Sequence, residues 1–428
     1  MPYRLTAASA EEAGLVLSLD DALSLALENN LNLKKNLIDL SGAEYSAGRL
    51  WSEVFPTINA SVGTSYGSPL FSGDGFSFDN KAANNARFGV NLSLNAGIPY
   101  SVRNIRLAHQ INMLRYEDAR NQLEIQITKM FYGLIAEKNN LDYLEDIFRL
   151  AETQLERNEI SFRNGYVREL VVLQSRLGVE NARYNLSIAR ASYSDSFREL
   201  LVMLGIHHDD PAFLAGEINI DRIEADANAL ISEYLPQRPD IISRMQEIDR
   251  LENIEKQVSL SNRAPSLDLS VTWSSSNFDP FADSLTGTAT LSIPIDRWIP
   301  GTRASQTIRG ARDSLEKARL DLQIAQDAAI KQIRSLTANL YNSWDSVEIA
   351  RFSAGIAEQN YQLTDLGFRN GTVESLVLED ARNNYANARQ RLLQSELYYL
   401  NLTLDLSAAL NMDWKELTRA YGVSSEKR

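Results

Sequence analysis

The chain contains no cysteine. This excludes disulfides, thiolate zinc sites, iron–sulfur clusters, cysteine nucleophiles and a lipid-modified N-terminal cysteine in the chain as given. Histidine is nearly as scarce, at 3 in 428 residues, too few for most catalytic constellations. No stretch approaches 18 consecutive apolar residues, so no transmembrane helix is expected. A transmembrane β-barrel, whose signal per segment is much weaker, stays open. Basic residues are outnumbered, 43 Lys+Arg against 56 Asp+Glu for a net charge of −13, which removes the electrostatic footprint of a nucleic-acid binder. There is no Gly-rich phosphate loop and no nucleophile elbow. The expectation is therefore a protein that is not an enzyme, with no cofactor and no metal. His207-His208-Asp209-Asp210 carries metal-capable groups, but neighbours in a turn rarely point at one ion, so this run reads as a loop. Met1 to Ala13 holds one basic residue, no long apolar run and a Glu11-Glu12 pair. That is not a secretory signal: either the protein is cytoplasmic or this is a mature form with a new start methionine, and the rest of the chain argues for the second.

What the chain does have is a duplication. Phe162-Arg163-Asn164-Gly165 recurs as Phe368-Arg369-Asn370-Gly371. The offset of 206 residues holds without a gap to Ile206/Met412, with 15 identities in 45 positions, against about 3 expected from ordinary composition. A second match, at offset 209, pairs Pro56 with Pro265 and Ser61-Val62 with Ser270-Val271. A period near 200 residues is too long for a solenoid and fits a duplicated half-structure. The expected layout is a tail over 1–16, a first repeat over 17–206, an inter-repeat segment over 207–224, a second repeat over 225–412 and a C-terminal tail over 413–428. Each repeat opens with a helical segment, with Ser18 or Asp20 the candidate N-cap in the first.

Two strands follow in each repeat, at about 57–66 and 87–98, then 266–273 and 285–295. All alternate: Ile58, Ala60 and Val62 against Asn59 and Ser61, or Leu267, Leu269, Val271 and Trp273 against Ser266, Asp268, Ser270 and Thr272. Alternation of this kind marks a sheet with one apolar and one polar face. It fits a half-buried soluble sandwich as well as a membrane barrel. Two features favour the barrel. The polar faces are mostly Ser, Thr and Asn, as a water-filled lumen would want. Aromatics also flank the strands, with Tyr66 and Trp273 toward one side and Trp51, Tyr100 and Trp298 toward the other, as membrane-interface girdles do.

Long helical hairpins complete each repeat, expected at 102–204 and 303–410. From Val102 to Arg163 there is no proline, and none from Arg303 to Arg369. Each run would span about 90–100 Å as a helix. The returning helices carry seams spaced alternately 4 and 3, such as Val179, Ala182, Leu186, Ala189 and Tyr193, or Tyr385, Ala388, Leu392, Ser395 and Tyr399. Such a seam wants a partner helix along its length. The obvious partner is the preceding helix, reached through Asn164-Gly165 or Asn370-Gly371. A soluble or periplasmic coiled-coil scaffold is the competing architecture, but four alternating strands at matched positions are awkward for it. A periplasmic adaptor would need separate small β-domains flanking one hairpin.

With these residues in place the chain resembles the TolC-like outer-membrane efflux proteins. The matching features are Leu17-Ser-Leu-Asp-Asp-Ala-Leu-Ser-Leu-Ala-Leu-Glu-Asn-Asn30, Phe55-Pro56, Gln237-Arg238-Pro239-Asp240-Ile241, Ala264-Pro265-Ser266-Leu267 and the two Phe-Arg-Asn-Gly turns. Their order, duplication and spacing carry the likeness from Leu17 to Met412. The resemblance implies a mainly α fold with a membrane β-barrel portion. In it, three chains would pool four strands each into a 12-stranded barrel in the bacterial outer membrane, on a periplasmic α-barrel of coiled-coil hairpins. It implies a homotrimer in outer-membrane lipid, docked by a periplasmic adaptor (membrane fusion) protein to an inner-membrane transporter. Family members serve drug efflux pumps or type I secretion systems as passive exit ducts. In the family, acidic residues after the second turn ring the pore entrance, which falls here on Asp380, with Glu379 beside it. The turns Arg163, Asn164 and Gly165, and Arg369, Asn370 and Gly371, become the adaptor dock. Phe368 and Val373 stand where the family has a Tyr/Arg latch, so that latch is expected to be absent or built differently.

Overall fold

The computed structural model describes residues 16–67, 81–206, 213–276, 283–370 and 372–423. The first copy runs β1 (Val16–Leu17), α1 (Leu19–Asn29), α2 (Leu31–Ala47), β2 (Thr57–Gly67), β3 (Lys81–Asn95), α3 (Ile98–Arg163), α4 (Glu169–Met203) and β4 (Phe213–Leu214). The second runs β5 (Arg222–Ile223), α5 (Ala227–Tyr234), α6 (Pro239–Arg263), β6 (Ser266–Ser276), β7 (Ser284–Ser292), α7 (Arg303–Arg369) and α8 (Ser375–Leu410), then α9 (Trp414–Tyr421) and β8 (Gly422–Val423). The His207–Asp210 loop lies outside the described residues.

Local chemistry sets the element ends. Ser18, not Asp20, caps α1: its hydroxyl oxygen accepts from the Asp21 N–H at 3.2 Å, and the Asp21 carboxylate accepts from the Ser18 N–H at 3.3 Å. This capping box and the Ser18 hydroxyl hold the Asp21 carboxyl below its usual range. Asp226 caps α5 by accepting from the Ala229 N–H at 3.0 Å. The chain breaks again at Asn30, whose side-chain oxygen accepts from the Asn32 and Leu33 N–H groups that open α2. The same amide donates to the Met203 carbonyl at the end of α4, at 3.0 Å. In the second copy Arg238 does this work, donating to the Ala409 carbonyl near the end of α8 at 2.9 Å. Pro239 then starts α6, where a missing N–H costs nothing. Orphan carbonyls at both helix ends thus gain a donor.

Several strand ends differ from expectation. Strand β3 starts at Lys81 rather than Arg87 and stops at Asn95 rather than 98. The Asn95 side chain accepts from the Gly97 N–H at 2.8 Å, an Asx turn, and α3 starts at once, four residues before the expected Val102. Strand β7 stops at Ser292, not Ile295. Pro294 has no N–H for the ladder, and Ile295–Trp298 forms a 3-10 turn.

One compact unit comprises the described parts of Met1–Asn36, Tyr116–Pro239 and Gln326–Arg428. It holds two apolar cores, one per copy. The first gathers Leu17, Ala22, Ala26, Ile127, Phe131, Leu134, Leu200 and Leu204. The second gathers Ile223, Leu230, Ile333, Leu340, Trp344, Tyr399, Leu406 and Leu417. Short pairings accompany them: β1 runs parallel to β4, and β5 antiparallel to β8. The other unit comprises Leu37–Arg115 and Asp240–Ala325 and carries a four-stranded antiparallel sheet in the order β2-β3-β6-β7.

Candidate membrane sheet and helical tip

The sheet joins the copies through β3 and β6. Register places Ile58 beside Val90 and Ala60 beside Phe88. It continues with Val90 beside Val271 and Phe88 beside Trp273, then Trp273 beside Leu285 and Leu267 beside Leu291. These share one face, because residues directly paired across strands point the same way. The opposite face carries Asn59, Ser61, Arg87, Asn91, Asp268, Ser270, Thr272 and Thr288. The apolar face is uncovered along β2 and β7: Val62 is 74% exposed, Leu285 74%, Leu291 65% and Ile58 59%. An apolar face of this extent in water is a liability, and in hydrocarbon it is at rest. Strands β2 and β7 each have a single sheet neighbour, and such free edges are templates for further strands.

The interface aromatics are placed as follows. Trp51 stands exposed in a 3-10 turn before β2, edge-to-face with Phe55 at 5.0 Å. Trp298 stands exposed after β7 with the Arg263 guanidinium over its ring at 5.4 Å. Trp273 lies within β6. Tyr100 sits in the first turn of α3, not on a strand. Tyr66 is in β2.

At the hairpin tips, the described residues share one closing bond. The Tyr166 N–H donates to the Ser161 carbonyl at 2.8 Å, and the Gly165 N–H to Phe162 at 2.9 Å. This is the Schellman pattern, and it needs Gly165 at its φ of 77°, a conformation costly for any side chain. In the second copy the equivalent Thr372 N–H donates to the Gly367 carbonyl at 2.9 Å; Gly371 lies outside the described residues. Arg163 and Asn164 are exposed, as are Arg369 and Asn370. Arg369 pairs with Asp365 at 2.7 Å. Asp380 and Glu379 are exposed on the second turn of α8 and form no ion pair among the described residues. The structure thus groups the tip residues by hairpin and keeps the acidic pair free. Sequence reasoning missed the caps made by Asn30 and Arg238. The signal was available, since each stands directly before a new helix, and Arg238 sits inside the quoted Gln-Arg-Pro motif.

Comparison with known proteins gives three findings. The outer membrane efflux protein family matches residues 22–206 and 210–412. A sequence comparison with curated proteins returns no match. Solved structures share the fold. The outer membrane channel CmeC of Campylobacter jejuni aligns at TM-score 0.77 and 18% identity, covering 94% of this chain and 88% of that one. VceC of Vibrio cholerae aligns at TM-score 0.71 and 14% identity, covering 92% and 96%. The open-state MtrE channel of Neisseria gonorrhoeae aligns at TM-score 0.70 and 16% identity, covering 92% and 89%.

Proposed function

The chain belongs to the outer membrane efflux protein family, and from that premise we propose how it works. It is an outer-membrane exit duct that extends into the periplasm. In our reading three identical chains close their four-stranded sheets into one 12-stranded barrel, joining β7 of one chain to β2 of the next. The uncovered apolar face with two free edges is the observation that carries this. Closure satisfies the edges, and lipid covers the face. The Ser, Thr and Asn face then lines a water-filled lumen. The long hairpins form the periplasmic tube, whose turns at Asn164-Gly165 and Asn370-Gly371 meet a periplasmic adaptor, which links the duct to an inner-membrane transporter. No covalent step is assigned to the chain; the pump supplies the energy and the duct a polar path with a closable end.

Three copies of Asp380, flanked by Glu379, would ring the mouth and hold cations there. The test is planar-bilayer recording of the detergent-purified protein. Cation-selective steps are expected, and Asp380→Ala should raise conductance or weaken block by multivalent cations. Unchanged conductance and block would remove the gate assignment and leave the duct. A protein that purifies without detergent as a single chain would remove the duct.

A further inference from the structure

Over 57–64 of β2, 84–95 of β3 and the whole of β6 and β7, the polar face of the sheet is Ser, Thr, Asn or Gly at every position but two. The exceptions are Arg87 and Asp268, one charge of each sign. Arg87 is exposed and forms no ion pair among the described residues. Its ladder partners are Ser61 and Ser274, and Gly89 follows it on the same face. These short neighbours leave the guanidinium uncovered. Asp268 accepts from the Ser266 hydroxyl at 3.4 Å and likewise forms no ion pair among the described residues. Its ladder partners are Ser93 and Thr290. No contact within the chain therefore accounts for either charge.

The two charges lie at different depths. Arg87 is level with Ser274, and Asp268 stands six residues nearer the start of β6, about 20 Å along a strand. That start is fed by α6, and the adjoining ends of β3 and β7 lead on to α3 and α7. Asp268 is thus the charge toward the helices, and Arg87 the charge toward the other rim. In about 0.1 M salt the screening length is about 10 Å, so the two do not cancel. Neither β2 nor β7 carries a charged residue, so joining them between chains adds none.

We propose that Arg87 and Asp268 are the charge-selecting residues of the barrel. They form two rings of opposite sign, the positive one outward and the negative one toward the periplasmic tube. The proposal rests on the trimeric-duct reading and adds the electrostatics of its membrane part. In a lining that is otherwise neutral, these rings control the field. The Arg87 ring draws anions and repels multivalent cations arriving from outside; the Asp268 ring does the reverse. When the helix side is positive, cations enter past Asp268 and anions past Arg87, and both accumulate between the rings. The opposite polarity drains that zone, so the barrel passes more current in the first direction.

The test is planar-bilayer recording of the full chain and its variants under a KCl gradient. Protein is added from one side, where the long polar helices remain. Asp380 acts on the same current, so the reading is each variant's change from the parent. In about 0.1 M salt, Arg87→Gln should shift the reversal potential toward stronger cation selectivity, and Asp268→Asn should shift it the other way. Both shifts should shrink in about 1 M salt, where the screening length is about 3 Å. Combining Arg87→Asp with Asp268→Arg keeps the net charge and reverses the barrel's polarity. The ratio of current at helix-side-positive to helix-side-negative voltage should then drop below the parent's. Light scattering in detergent checks that each variant weighs three chains, and Arg87→Ser replaces Arg87→Gln if that variant does not assemble. Trimeric variants whose reversal potentials match the parent's, or both move the same way, overturn the two rings and leave the duct. So does an exchanged pair with the parent's current ratio. A parent that gives no conducting steps, or weighs as one chain, removes the duct reading and the rings with it.

Discussion

The two copies share a frame and differ in what they attach to it. Ile127 and Ile333, Leu134 and Leu340, Leu200 and Leu406, and Leu204 and Leu410 occupy equivalent positions and are all buried. Around them the copies diverge. Trp344, buried and edge-to-face with Tyr399 at 5.1 Å, has as its counterpart Lys138, which pairs with Asp142 at 2.5 Å. Tyr399 donates to the Asp221 carbonyl at 3.1 Å and accepts from the Ile223 N–H at 2.8 Å, so its hydroxyl pins β5 to α8. The counterpart Tyr193 stacks on Phe197 at 6.0 Å and makes no such clasp among the described residues. Apolar positions that pack hairpins are thus held in common. Positions that fasten the connecting segments are free to specialise, because each copy joins different segments.

Breaking this contrast should be easiest at its largest member. Trp344→Ala is expected to cost about 3–5 kcal/mol as a core cavity, and Lys138→Ala no more than about 0.5 kcal/mol as a surface change. Denaturant unfolding of the helical signal in detergent measures both; equal losses would mean the copies are not specialised here. The clasp comes next. Tyr399→Phe leaves the buried Ile223 N–H without its acceptor, at about 1–3 kcal/mol, whereas Tyr193→Phe should be near neutral. Burial pushes the Tyr399 hydroxyl up to about 12 from its ordinary 10.0. Because the folded-state value is the raised one, this contribution is complete below about pH 10 and fades as pH climbs toward 12. The parent should therefore lose stability across that window, and Tyr399→Phe should lose less.

Much of this was legible before any coordinates. The first Phe-Arg-Asn-Gly turn ends its helix because glycine reaches the φ of 77° at Gly165 cheaply, and the strands alternate because one face meets an apolar medium. Strand limits were less legible. Residues 81–86 read Lys-Ala-Ala-Asn-Asn-Ala, with little alternation, yet β2 recruits them through its ladder from Gly67 to Lys81. Tyr100 looked like a strand-end aromatic, but it falls in a helix because the Asx turn at Asn95 ends β3 early. The caps at Asn30 and Arg238 were half legible: each stands directly before a new helix, but the carbonyl it meets, of Met203 or Ala409, is set by where a distant helix ends.

The smallest expected effect gives the sharpest test of the duplication. Glu145 on α3 pairs with Arg190 on α4, and the equivalent positions hold Arg351 on α7 and Glu396 on α8. The pair is kept with its charges exchanged. Each hairpin therefore matches itself, while exchanging returning helices would set Glu145 against Glu396 and Arg351 against Arg190. Exposed pairs of this kind contribute only about 0.2–1 kcal/mol, so their value lies in choosing partners more than in holding them. Glu145→Arg should destabilise by up to about 1 kcal/mol through repulsion of Arg190, and adding Arg190→Glu should restore the loss. The restored chain, however, carries the polarity of the second copy in both hairpins and no longer penalises the exchange. Its native stability should match the parent, while its refolding yield into detergent should fall. That deficit should vanish in about 1 M salt, where the screening length is about 3 Å. Equal refolding yields for parent and double variant at low salt would mean that the exchanged charges play no part in choosing hairpin partners.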